Sequence, residues 1–150
     1  MDCDMPFGPR ERAFFEQARV GRLATADTSA NPHVVAICYA CVDDAIITPI
    51  DAKPKSVDAL DLQRVKHINA NPQVALLVDH YSEAWDELGW VRVDGSARVI
   101  DPGDDVHAAG VSALRGKYEQ YVDHPLSERP AIVIDPHTVR SWGAIDRESR

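Results

Sequence analysis

Hydrophobic and polar positions alternate in some short segments of the chain, and other segments, such as 45–50 and 73–79, are nearly continuous apolar runs. Both patterns predict β-strands. The predicted strands cover residues 20–26, 33–42, 45–50, 73–79, 90–100 and 131–135, with a last short strand at 139–143. Turn-forming residues occupy 27–32, and Asp43-Asp44 separates the second and third strands, which predicts a hairpin between them. Asp94-Gly95 predicts a β-bulge inside the strand 90–100.

Three other segments place apolar residues at helical spacing. They cover residues 9–19, which start with a proline, 57–70, which end before Asn71-Pro72, and 102–121, with a weak point at Gly110. Most strands follow one another through short turns, so antiparallel pairing is favoured over parallel β-α-β units. No glycine-rich phosphate loop follows a strand. The sequence therefore predicts one mainly β (α+β) domain over residues 1–150, a small antiparallel barrel with flanking helices.

Composition narrows the class of partner. Of the residues, 45% are hydrophobic and 27% are charged, as in a globular protein with a core. The net charge of -8 disfavours nucleic acid as a partner, because phosphate backbones require a dense basic surface. No apolar run reaches the roughly 18 residues that span a bilayer, and the acidic start differs from a basic export signal. We therefore expect a cytoplasmic protein that does not bind membranes.

The two cysteines at positions 38 and 41 form a C-x-x-C pattern, which is also found in metal and redox sites. Here both lie in the predicted strand 33–42, where positions three apart point to opposite faces. The two sulfurs should therefore diverge, and we interpret both as small core residues. His80, His107, His124 and His137 lack metal-ligand spacing, so no metal site is predicted. No catalytic residue is predicted either.

Positive charge is concentrated in one stretch of this acidic chain. Lys53 and Lys55 precede the second predicted helix, and Arg64 and Lys66 lie on its polar side. A guanidinium can bind a phosphate through two hydrogen bonds, whereas lysines act as mobile point charges. The alternative for Arg64 and Lys66 is the solvated face of an ordinary helix. The stretch is therefore a candidate site for a phosphate-bearing ligand.

Several motifs, in this order and spacing, resemble one known family. They are Arg19-Val-Gly-Arg-Leu-Ala-Thr-Ala26 with Asn31-Pro-His-Val-Val35, the segment 64–79 starting Arg-Val-Lys-His-Ile, and the segment 90–99 with its Gly-Ser-Ala. Together they resemble the pyridoxamine-phosphate-oxidase-like superfamily of split β-barrels, the flavin-reductase and FMN-binding type of fold. The Lys-Pro-Lys loop and the stretch from Asp79 to Trp90 are most similar to its branch of oxidoreductases that use the deazaflavin coenzyme F420.

The resemblance implies a homodimer with two cofactor sites between the subunits, where the ring transfers hydride to or from a small organic substrate. Arg64 aligns with the family's phosphate-binding residue, Lys53 and Lys55 would assist it, and Trp142 would lie near the partner's cofactor. The strand residues implied in ring binding, largely through backbone groups, are His33, Val34, Val35, Ala36, Thr48, Pro49 and Ile50.

Some alternatives remain open at this point. His33 can be an ordinary surface residue, and Trp142 can belong to the core or to a subunit interface. FMN is the alternative cofactor, and a further alternative is a protein that binds flavin, F420 or haem without turnover. The sequence does not identify the substrate.

Overall fold

A computed structural model describes residues 7–50 and 63–145 of the chain. These residues form seven strands and three α-helices, with 3-10 turns at Trp85–Glu87, Glu119–Tyr121 and Leu126–Glu128. The helices are α1 (Pro9–Gln17), α2 (Gln63–Ala70) and α3 (Asp105–Lys117). The strands are β1 (Gly21–Ala26), β2 (Pro32–Ile37), β3 (Ala40–Val42), β4 (Ala45–Pro49), β5 (Gln73–His80), β6 (Gly89–Ile100) and β7 (Ala131–Gly143).

All seven strands belong to one antiparallel sheet with the order β2-β1-β5-β6-β7-β4-β3. Its two edge strands, β2 and β3, follow each other directly in the chain, so the sheet must curl until its edges meet. The seam between these edges lies at the link Cys38-Tyr39, where Thr48 Oγ1 of β4 donates a hydrogen bond to the carbonyl of Cys38 (2.7 Å). The edges do not pair as strands, and the predicted antiparallel split β-barrel is confirmed.

The prediction of one strand over residues 33–42 is wrong, because the chain leaves the sheet at Cys38 and Tyr39. The Tyr39 ring is fully buried, and its hydroxyl donates a hydrogen bond to the carbonyl of Phe15 (2.6 Å). Its backbone N–H donates to the hydroxyl of Tyr118 (3.2 Å). These tertiary contacts divide the apolar run into β2, which pairs with β1, and β3, which pairs with β4.

The segments 131–135 and 139–143 form one long strand, β7, and not the two strands predicted. Asp94 pairs with Thr138 and Gly95 with Pro136, so His137 is the extra residue of a bulge. The bulge therefore lies opposite Asp94-Gly95 as expected, but the additional residue belongs to β7. At Gly95 a Cβ would lie 2.3 Å from the carbonyl oxygen of Asp135, so only glycine is accommodated there.

The third helix is shorter than predicted. The Asp104 carboxylate accepts a hydrogen bond from the N–H of Val106 (2.9 Å) and caps the helix start. At the other end Tyr118 adopts extended backbone, and its hydroxyl donates to the carbonyl of Arg19 (2.9 Å). Gly110 does not interrupt the helix. It lies directly against Ile47 of β4, where a Cβ on residue 110 would be 2.2 Å from Ile47 Cδ1. It allows α3 to pack closely on β4.

The core has two parts, one inside the barrel and one between α3 and the strands β3, β4 and β7. Cys41 packs against the first part and Cys38 against the second, so the two sulfurs diverge as predicted. Both side chains are partly and not fully buried. Burial raises the pKa of the Cys41 thiol to about 11, which favours its uncharged form at neutral pH.

Lys117 lies at the seam of the barrel, where its Nζ is 3.9 Å from the centre of the Tyr39 ring. No described residue forms a hydrogen bond with this buried ammonium group. Burial lowers the pKa of Lys117 from 10.5 to about 8. The folded protein therefore favours the neutral amine more than the unfolded chain does.

We expect Lys117→Met to raise the thermal unfolding midpoint at pH 7 by a few degrees, because methionine keeps the apolar contact with Tyr39 without a buried charge. At pH 7 both the folded and the unfolded chain carry the charge, and its burial disfavours folding. This penalty declines as the pH rises through 8 and is gone above 10.5. Thermal unfolding of both proteins at pH 7 and pH 10 measures the difference, and an equal difference at both values would contradict the interpretation.

Candidate functional site

The outer face of the sheet, across β2, β1, β5, β6 and β7, carries a groove. Directly paired residues share a face, so the strand registers define three rows across it. The rows are Val34-Ala24-Ala75-Asp94-Thr138, Ala36-Arg22-Leu77-Arg92-Arg140 and Asp79-Trp90-Trp142. A groove of about 440 Å³ lies over the first four strands, lined by Arg22, Ala24, Val34, Ala75, Leu77, Asp79, Trp90 and Arg92.

The groove has an apolar floor between ion pairs. Arg22 contacts Asp79 at 3.0 Å, and Arg92 contacts Asp94 at 3.2 Å. Trp142 lies next to Trp90 in register and is 53% exposed. A surface with exposed aromatic residues and both signs of charge is typical of a contact with another molecule.

The strand β2 forms one side of this groove and places the predicted residues 33–36 on two faces. Val34 is 63% exposed and points outward with Ala36, whereas Val35 packs against the barrel core. Within the described residues β2 pairs only with β1. Half of its backbone N–H and C=O groups therefore face away from the sheet, where they are available to a ligand.

A polar cluster joins the start of β2 to helix α2. The buried ring of His67 contacts Thr25 Oγ1 through Nδ1 (3.0 Å) and Gln63 Nε2 through Nε2 (2.8 Å). The His33 ring meets the His67 ring edge-on, with centroids 5.6 Å apart. His33 is partly buried, and its Nδ1 forms no hydrogen bond with any residue that the structure describes.

Arg64 lies one helical turn before His67 on α2 and is half-buried. The structure thus brings the predicted phosphate residue and His33 to the same end of the barrel. Sequence reasoning did not select His67, Thr25 or Gln63. The only signal for His67 was a histidine in the middle of the apolar stripe of this helix, and Thr25 gave no signal at all.

The predicted residues of β4 lie across the seam from the end of β2. The Thr48 hydroxyl already donates to Cys38, and Ile50 is part of the barrel core. Pro49 is buried as well. These three side chains serve the fold, so only their backbone groups can contribute to a ligand site.

Two parts of the predicted site are not brought together within one chain. Trp142 on β7 is four strands from β2, or about 19 Å along the sheet at the usual strand spacing. Lys53 and Lys55 lie outside the described residues. Arg64, His33 and the edge of β2 form one group, and Trp142 belongs to a distant second group.

Among the described residues, the groove and the cluster at the α2 end can bind and orient a ligand. Over residues 7–50 and 63–145, no group of three or more His, Cys, Asp and Glu side chains could hold a metal ion. The contact between Thr25 and His67 is buried, so it offers no accessible nucleophile. In the same part of the chain, every helix is too short or too polar to cross a bilayer.

Comparison with known proteins identifies the family. The family model for pyridoxamine 5'-phosphate oxidase matches residues 7–143, which is most of the chain. This chain belongs to the pyridoxamine 5'-phosphate oxidase family. The family includes oxidoreductases, and its fold commonly binds small ligands as a dimer. No protein with a curated description matches the sequence.

Solved structures share the family fold at low identity. A conserved hypothetical protein from Mycobacterium tuberculosis is 21% identical, with a TM-score of 0.73 over 100% of this chain and 96% of its own. The haem storage protein HutZ from Vibrio cholerae is 14% identical (TM-score 0.70, 93% and 95% covered). A haem-binding protein from Mycobacterium smegmatis is 20% identical (TM-score 0.69), and the match covers 92% of this chain but only 54% of that one. At these low identities, the solved structures support the shared fold of this chain and say nothing about its ligand or activity.

Proposed function

We propose that this protein is an oxidoreductase that binds coenzyme F420 between two copies of the chain and transfers hydride to or from a small organic substrate. The proposal rests chiefly on the open edge of β2, which runs between the groove and the α2 end that carries Arg64. Such an edge offers backbone donors and acceptors to a planar ring, and the helix end offers a guanidinium to a phosphate.

The spacing along β2 suits a ligand with a ring and a phosphate at opposite ends. His33 lies at the α2 end of this strand, and Ala36 lies three residues further along, or about 10 Å at the usual rise per residue. Arg64 would therefore hold the phosphate, while the backbone of residues 33–36 and 48–50 would hold the ring. His33 Nδ1, which has no partner among residues 7–50 and 63–145, would donate or accept a hydrogen bond there.

A second copy of the chain is the proposed cover of the outer face. β5 is the central strand of the five that form it. A twofold axis parallel to the strands at β5 would place β7 of one copy over β2 of the other. Trp142 would then cover the ligand site of the partner. Its distance from β2 within one chain would therefore not prevent it from contacting a ligand. The apolar floor favours this burial, and the Arg22–Asp79 and Arg92–Asp94 pairs provide both charges on each side.

The bound deazaflavin supplies the hydride chemistry, and the protein supplies position and shelter from water. Arg64 and the β2 backbone would fix the ligand in one orientation, and Trp142 of the second copy would exclude solvent from its ring. Lys53 and Lys55, which lie outside the described residues, would contact the longer anionic tail that distinguishes F420 from FMN.

The decisive experiment titrates F420 and FMN separately against the same preparation and follows cofactor fluorescence. We expect one F420 per chain at saturation and weaker binding of FMN, since FMN lacks the tail. If FMN binds and F420 does not, the cofactor of the proposed enzyme is FMN. Failure of both to bind would overturn the proposal.

Haem binding without turnover is the second candidate, and His33 is the observation that favours it. A buried imidazole nitrogen without a partner on an open strand edge is suited to bind iron, and two solved structures with this fold are described as haem-binding and haem storage proteins. Addition of haem would give a sharp Soret band that His33→Ala abolishes. F420 binding with no such band would exclude this candidate.

A further inference from the structure

His67 is the polar residue on the buried face of α2. The other buried residues of this helix, Val65 and Ile68, belong to the apolar barrel core, whereas His67 is only 6% exposed and carries two ring nitrogens. A buried polar group disfavours folding unless it is hydrogen-bonded. Both nitrogens of His67 have a partner, Thr25 on β1 and Gln63 at the start of the described helix. His67 therefore makes directional contacts that the apolar residues of the helix cannot make.

The His67 ring lies between the two elements that the proposed ligand site combines. Thr25 pairs in register with His33 on β2, and the ring contacts both, the first through Nδ1 and the second through its edge. On α2, His67 lies three residues after Arg64, a spacing that makes two positions neighbours on a helix. Gln63, which the ring contacts through Nε2, directly precedes Arg64. His67 thus joins the phosphate end of the proposed site to the edge strand β2.

Polar and apolar contacts constrain the position of a helix differently. Val65 and Ile68 hold α2 against the barrel, but apolar attraction has no preferred direction. A hydrogen bond weakens steeply when its length or angle changes, so the contact with Thr25 fixes where His67 lies on the barrel. A guanidinium forms two parallel hydrogen bonds with a phosphate only in a suitable orientation. A small rotation or shift of α2 would therefore disturb the proposed contact of Arg64.

We infer that His67 is a positioning residue, which holds Arg64 in place relative to the β2 edge and thereby gives the site its preference for ligands that carry a phosphate. The inference rests on the proposed function, because it concerns the same site. His67 itself would not touch the ligand. Its loss should therefore reduce the contribution of the phosphate to binding and leave the contribution of the ring unchanged. A less well oriented guanidinium still attracts a phosphate, so the effect should be smaller than that of removing Arg64.

The first measurement compares ligands with and without the phosphate, F420 against its deazaflavin core and FMN against riboflavin. We expect His67→Leu to weaken binding of the phosphate-bearing ligand about five- to tenfold and to change binding of the other by less than about twofold. The control is Val65→Ala, which should lower the thermal unfolding midpoint without changing the ratio of the two affinities. An unchanged ratio in His67→Leu, or an equal change in Val65→Ala, would overturn the inference alone. A wild-type protein that binds neither F420 nor FMN would overturn the proposed function as well.

The second measurement separates positioning from stability. His67→Asn and His67→Leu introduce side chains of similar size, but only the asparagine amide offers a polar atom to Thr25 in place of Nδ1. We expect the leucine variant to be at least as stable to heat as the asparagine variant, because it adds an apolar residue to the core, and yet to bind F420 more weakly. Adding Thr25→Val to His67→Leu removes the other partner of the same contact and should weaken binding no further. Affinities that follow the thermal midpoints, or losses that add up in the double variant, would overturn the inference.

Discussion

Replacing Ala75 with arginine is expected to convert the proposed dimer into a monomer and to weaken F420 binding at least about tenfold. Ala75 is on β5, the central strand of the outer face, and lines the floor of the groove. The proposed twofold axis passes at this strand, so two new guanidinium groups would meet in an apolar contact. Burial of unpaired charges costs several kcal/mol, which exceeds what the rest of the face would offset.

The single chain should tolerate this change. Ala75 is only partly buried on the outer face, so an arginine at position 75 can extend into solvent in the monomer. Light scattering across micromolar concentrations measures the mass, and circular dichroism checks the fold. Ser112→Arg, which adds the same charge on the exposed side of α3, is the control and should remain dimeric. A folded dimer with arginine at position 75 would show that the outer face is not the interface.

Arg64→Ala is expected to lower the affinity for F420 by about ten- to a hundredfold. Loss of a pair of charge-assisted hydrogen bonds costs on the order of 1.5–3 kcal/mol. Lys66→Ala is the matched control, because Lys66 is exposed on the same helix and this substitution also removes one positive charge. We expect it to have little effect, because an exposed lysine is screened by solvent and salt.

Salt provides an independent check on the role of Arg64. Higher ionic strength should weaken binding by the wild-type protein more than binding by the Arg64 variant, because the variant has already lost the main charged contact. Equal affinity of Arg64→Ala and wild type would mean that Arg64 is only a solvated helix charge. The phosphate end of the proposed site would then be misplaced.

Much of the fold followed from the sequence because the signals involved are local. Alternation of apolar and polar residues marks a strand that has one buried face, a short apolar run marks a strand buried on both faces, and short turns between strands favour antiparallel pairing. These rules predicted the strands at 20–26, 45–50, 73–79 and 90–100 and the location of the bulge. Divergence of Cys38 and Cys41 was predicted from the two-residue period of a strand, but the structure reaches it differently, because the chain leaves the sheet at Cys38 before β3 begins.

The candidate site was only partly predictable. The residues on β2, β4 and α2 came from a family resemblance, and the sequence contained no signal for the network of Thr25, Gln63 and His67. The network joins a residue of β1 to two residues of α2, so it exists only after this strand and this helix have packed together.

The sequence by itself determined the family, the strand and helix content, and the basic stretch around Arg64. Only the tertiary structure decided where the apolar run 33–42 breaks, because the buried ring of Tyr39 and its bonds to Phe15 and Tyr118 involve residues distant in the chain. It also decided that β7 is continuous through Pro136, since pairing with β6 outweighs the local turn preference of Asp135-Pro136. Strand order is a property of long-range pairing, and it is strand order that separates Trp142 from β2.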